Sequence, residues 1–189
     1  SGEGDPKAAL AAMYFWTWQT EEVRAMLDWM RAYNQEPGNQ RKLSFTSFDM
    51  QSHEVARGRV VAFLDKYSPA AATEANKAYA PLFKLDRGSR ESAAAAEAAT
   101  QAESVVAIFD ARKDELTPVS SPAAFRDARQ MAVIVAQAVR LRAPGAGSSY
   151  RDQMMAKNLE WLMKEVYPNE KVVVWAHNGH VSKAAREQF

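Results

Sequence analysis

The chain contains three histidines, His53, His177 and His180, and no cysteine. The lack of cysteine excludes a disulfide framework, a thiolate metal site and a cysteine nucleophile. Chemistry must come from His, carboxylates, hydroxyls or Arg. His177 and His180 lie in the stretch WAHNGHVSK, and His53 follows Asp49 in FDMQSHE. Two imidazoles at that spacing can face one cavity, one as a general base and the other orienting it or donating to an oxyanion. The same pair also suits two metal ligands, with Asp49 or His53 completing a hydrolytic zinc-type set. Residue types and spacing leave both chemistries open.

Two segments are expected to position these groups. KVVVWA, residues 171–176, has consecutive apolar residues, mostly β-branched, between charge and Asn178-Gly179. It reads as a strand buried on both faces of a parallel sheet. KLSFTSF, residues 42–48, is a shorter run of strand formers that ends at Asp49. Each histidine falls just past the carboxyl end of one of these segments, which is where ligands bind in open parallel sheets. The expected fold is therefore α/β, with parallel strands, a large helical insertion over residues 54–149, and predominantly helical content. At 189 residues the chain is expected to be part of a single domain, by the usual allowance of roughly 100 to 200 residues per domain.

The helical signals are strong. Thr20 before Glu21 and Glu22 reads as an N-cap with acidic residues in the first turn, and Val23, Leu27 and Met30 follow at helical spacing as a core face. The upstream block from Ala8 to Trp18 reads as another helix. From Glu54 to Leu141 almost everything looks helical, punctuated by Ser68-Pro69, Gly88, Thr117-Pro118 and Pro122. A last helix opens at Tyr150-Arg151-Asp152. An Arg at a helix start opposes the helix dipole, so Arg151 should have a carboxylate partner or a substrate contact. Asn158, near the apolar stripe of the same helix, reads as a satisfied buried polar group or a substrate ligand.

Lys plus Arg total 24 against 23 Asp plus Glu, a net charge of +1. No broad basic field exists for phosphate backbones or anionic lipid, so neither nucleic acid nor a membrane is an expected partner. No stretch approaches the roughly 20 apolar residues of a spanning helix. The chain is expected to be soluble and cytoplasmic.

TWQTEEVRAMLDWMRAYN, LSFTSFDMQS and YRDQMMAKNLEWLMKEVYPNEKVVVWAHNGHVSK together resemble the erythromycin esterase family. The Tyr-Arg-Asp, Met, Asn and Trp-Ala-His-Asn-Gly-His series is the specific part. The resemblance implies a carboxylic ester hydrolase in which histidine activates water against an ester. In the named members the substrate is a macrolide lactone, opened without an acyl-enzyme, which links the family to antibiotic resistance. It implies His177, His180 and Asp49 as the catalytic set, no cofactor, and a small ester or lactone as substrate. Arg151, Asn158 and His53 are expected to bind that substrate. Alternatives are a metal-dependent hydrolase with His177, His180 and Asp49 as ligands, or a non-catalytic helical scaffold or binding module. Family members also carry an upstream segment that supplies a general-base histidine and its acidic partner, which nothing here matches. The chain is therefore expected to be partial, to pair with the missing segments of its parent, and to be inactive alone.

Overall fold

A computed structural model describes residues 5–11, 13, 15–85, 92–147 and 149–181. The backbone divides into two compact units, Ser1–Ser47 and Phe48–Phe189.

In the first unit, α1 (Pro6–Ala11) leads to a single 3-10 turn, Trp16–Trp18, and then to α2 (Glu21–Gln35). The Thr20 hydroxyl accepts the Val23 amide at 3.3 Å, the N-cap that the sequence indicates. Val23 and Leu10 are buried, while Trp29 lies on the solvent side of α2. The block from Ala8 to Trp18 is not one helix: α1 stops at Ala11, and Trp16 is 80% exposed rather than packed.

The second unit is built from α3 (Glu54–Tyr67), α4 (Pro69–Tyr79), a 3-10 turn (Ala80–Lys84), α5 (Ala93–Ala111), α6 (Lys113–Val119), α7 (Pro122–Arg140), α8 (Tyr150–Trp161) and the short α9 (Asn178–Val181). Ser68-Pro69 breaks the chain between α3 and α4, with proline at the first helical position, where its missing N–H goes unneeded, whereas Pro118, expected as a break, lies inside α6. Ser92 and Ser121 cap α5 and α7 by accepting the Ala95 and Ala124 amides, each at 3.1 Å. Gly88 lies outside the described residues.

The core is a seam of small residues. Ala95, Ala98, Ala99, Ala102 and Val105 recur on one face of α5 without solvent exposure, at the spacing that lines up one helix face. Ala98, Ala99, Ala102 and Val105 meet Ala132, Val135 and Val139 of α7 and Ala71, Ala72 and Ala75 of α4. Methyl-sized side chains let backbones approach closely, and larger groups such as Leu64, Tyr79 and Leu116 fill the rest of the core. Phe63, Phe109 and Phe125 stack within it, with ring centroids 5.8 and 5.9 Å apart. Two forked ion pairs, Arg129 with Asp110 and Arg140 with Glu103, tie α7 to α5 at the surface. Exposed pairs contribute about 0–1 kcal/mol each, so the apolar seam carries the stability.

The α/β fold with parallel strands that the sequence suggests is not what forms. Among the described residues there is no strand and no sheet. Residues 42–48 run as irregular chain, and a side chain takes the place of a neighbouring strand. The Asn34 amide nitrogen donates to the Leu43 carbonyl at 2.8 Å, and the Leu43 N–H donates to Asn34 Oδ1 at 2.7 Å. Residues 171–176 are likewise irregular, and Val173 is 93% exposed, so KVVVWA is not buried on both faces. β-Branched residues favour a strand, but a strand exists only when a second backbone supplies the ladder. The predominantly helical character is as expected.

Candidate functional site

The start of α8 organises the site. Arg151 and Asp152 are its second and third residues and point to different partners. Arg151 grips Asp49 with both arms of its guanidinium: Nε donates to Oδ1 at 3.2 Å and an Nη to Oδ2 at 2.9 Å. Its other Nη donates to His180 Nε2 at 2.9 Å. His180 Nδ1 lies 2.6 Å from Asp152 Oδ1. A guanidinium is only a donor, so Nε2 is the acceptor, and the ring proton sits on Nδ1 and points to Asp152. The result is a continuous chain, Asp49–Arg151–His180–Asp152, that crosses from the segment before α3 to α9. The carboxylate partner expected for Arg151 is Asp49.

Burial alone would raise the Asp49 carboxyl. Hydrogen bonds from Arg151, from the Gln51 amide at 2.8 Å and from the Met50 N–H at 2.7 Å outweigh it, and the Arg151 charge adds to them. Asp49 is therefore held below the usual carboxylate range and is ionised at neutral pH.

His177 is fixed differently. Its Nδ1 accepts the Gly179 N–H at 3.1 Å, and its carbonyl accepts the His180 N–H at 2.8 Å. The neutral ring then carries its proton on Nε2. The His177 and His180 rings lie edge to face with centroids 6.4 Å apart, and His177 is the more exposed. A donor nitrogen on an exposed ring beside an arginine-anchored one can meet an acceptor that gains negative charge. Gly179 allows this arrangement, since a Cβ there would stand 3.3 Å from His177 Nδ1. Gly179→Ala is expected to push the ring off its amide and let His177 move from the Nε2–H tautomer toward a mixture with Nδ1–H, with unchanged thermal stability. Nitrogen-15 spectra of His177 with a melting curve check both halves.

The remaining expected site residues fall elsewhere. Asn158 is 3% exposed and uses its whole hydrogen-bonding capacity within the protein. Its nitrogen donates to the Phe48 carbonyl at 3.1 Å and to Gln137 Oε1 at 2.9 Å, and its oxygen accepts from Gln130 and Gln137, each at 3.1 Å. It is the satisfied buried polar group. His53 precedes α3 without capping it, and its Nδ1 is buried without a partner. Burial pushes its imidazole down in pKa; Glu54 opposes this, and Arg57 and Arg142 reinforce it. The described contacts do not connect His53 to Asp49, Arg151 or His180.

Gln130 and Gln137 escape a reading of the sequence. Their signal is a pair of amides seven residues apart on α7, among positions otherwise buried and apolar. A groove of about 420 Å³ between α5, α7 and α8 is lined by Glu103, Val106, Val133, Ala136, Gln137, Tyr150, Met154 and Lys157. No histidine lines it. Among the described residues no group of three His, Asp or Glu side chains is arranged to hold a metal ion, and no helix is long and apolar enough to cross a membrane.

The chain is similar to "Putative hydrolase YbfO" of Bacillus subtilis (strain 168), at 46% identity over 33 residues, 18% of this chain and 7% of that protein. It is similar in fold to the crystal structure of a Bacillus cereus protein, with a TM-score of 0.74 and 24% identity over 97% of this chain and 45% of that one. It is also similar in fold to a succinoglycan biosynthesis protein, with a TM-score of 0.69 and 21% identity over 95% of this chain and 44% of that one. The chain thus spans less than half the length of the solved relatives it matches. The profile of the erythromycin esterase family matches residues 1–189, and the chain belongs to that hydrolase family.

Proposed function

We propose that the parent protein hydrolyses a carboxylic ester or lactone and that this chain supplies the electrophilic half of the site. The observation behind this reading is the pair of fixed tautomers. The Gly179 amide on Nδ1 leaves His177 with an outward Nε2–H, and Arg151 on Nε2 keeps His180 from acting as a free base. His177 donates to the carbonyl oxygen as it becomes an oxyanion. Water oxygen bonds to the carbonyl carbon while its proton passes to a base. The π electrons move onto oxygen, then return as the C–O bond to the leaving alcohol breaks, and that alcohol takes up a proton. We assign the base to the upstream segment that the resemblance implies for family members, so His177 and His180 are not asked to do both jobs. Asp49 and Arg151 act on His180 rather than on substrate.

The test is turnover of p-nitrophenyl acetate and of a macrocyclic lactone by the full-length protein. Hydrolysis of at least one, without a pre-steady-state burst, is expected, since direct water attack accumulates no acyl-enzyme. A stoichiometric burst would overturn the mechanism, and no hydrolysis of either would overturn the reaction class.

A further inference from the structure

We propose that the buried amide cluster Gln130–Gln137–Asn158 is a positioning device that fixes where Asp49 stands. Three amides inside a helical core are costly to bury unless each is paired, and an apolar core would fill the space without that demand. This cluster is paired internally, and among the described residues the backbone group it reaches is the Phe48 carbonyl, next to Asp49. Gln130 and Gln137 occupy both lone pairs of Asn158 Oδ1, and Asn158 returns a bond to Gln137 Oε1. With its oxygen held, the Asn158 amide cannot flip. Its nitrogen therefore always faces Phe48, where the flipped amide would set oxygen against oxygen.

The spacing makes this a two-point grip. Arg151 and Asn158 are seven residues apart on α8, two turns and on the same face, about 10 Å along the axis. Arg151 holds the Asp49 side chain and Asn158 holds the backbone one residue earlier. With Asn158 lost, the Phe48-Asp49 segment can pivot about the Arg151 contact. The guanidinium then follows its carboxylate, and its bond to His180 Nε2 weakens. Asn158, Gln130 and Gln137 are thus positioning residues that act on the histidine through Asp49 and Arg151.

The catalytic consequence rests on the ester-hydrolysis reading, and the experiment separates the two. In the full-length protein, Asn158→Leu should lower kcat for p-nitrophenyl acetate about tenfold or more with KM within about twofold, the split expected when reacting groups are misplaced and substrate binding is untouched. Nitrogen-15 spectra of His180 should change from the Nδ1–H tautomer toward a mixture with Nε2–H. Gln130→Met removes one bond to the Asn158 oxygen and should shift both readouts in the same direction by less; it serves alone if the leucine variant does not fold. A folded variant with lower thermal stability but an unchanged His180 tautomer and kcat would show that the cluster only fills the core, overturning the proposal. If the wild-type protein hydrolyses no ester, the reaction reading fails, and the tautomer still decides the positioning role.

Discussion

His177→Ala in the full-length protein is expected to lower kcat for an activated ester by about 10²–10³, the usual loss for one oxyanion donor. Among the described residues the ring is held by the Gly179 amide on its Nδ1 and lies edge to face with His180, and it is exposed. Its removal should therefore leave the melting temperature within a degree or two, and KM should hardly move, because the bond it makes strengthens only as charge develops. His177→Gln, whose amide can still donate, should recover part of the loss. Kinetics on both variants, with a thermal melt to show folding, decides the role. An alanine variant with wild-type kcat would take His177 out of the site.

Arg151→Met should act on both stability and activity. It removes the two-armed grip on Asp49 and the donor to His180 together. A half-buried carboxylate left without its cation costs about 1–3 kcal/mol, and the freed His180 can take the other tautomer. A loss of about 10²-fold or more in ester turnover is expected, and Arg151→Lys should restore little, since an ammonium cannot span both carboxylate oxygens and the ring. The pH dependence of stability gives an independent reading. Asp49 is lowered from its ordinary 3.8, so its contribution is full above that value and is lost as pH falls through the depressed one. His53 is lowered from 6.5, so the unfolded chain binds a proton first and stability declines as pH drops below that value. Denaturant titrations should show both declines in the wild type. In Arg151→Met the His53 decline should remain, and the acidic Asp49 decline should flatten. Identical curves would mean that Arg151 does not set the Asp49 pKa.

Local signals were legible in the sequence because helices close their hydrogen bonds within a few residues. Thr20, Ser68-Pro69 and Pro122 mark real boundaries. The strands were not, because strand formation depends on a partner that composition does not reveal. Leu43 finds an asparagine side chain instead of a backbone, and Val173 finds solvent. The expectation that Asp49 and His180 share a site rested on adjacent strand ends. The structure brings them together without strands, through one arginine that each of them contacts. Arg151 was recognisable as a cation needing a carboxylate. Which carboxylate it takes is a long-range fact, 102 positions away in sequence. Gln130 and Gln137 were passed over because exposed glutamines on helices are common, and only burial makes theirs informative.

The alanine seam of α5 limits how this protein can vary. Ala95, Ala98, Ala99 and Ala102 have no solvent exposure. Glycine would loosen the helix by about 1 kcal/mol each, and a larger residue that overpacks the seam costs about 1–3 kcal/mol. Each position thus has almost no neutral neighbours in sequence space. Intolerance to change along this helix therefore reports backbone geometry, and a map of tolerated mutations would mark it as a constrained stretch set by packing alone.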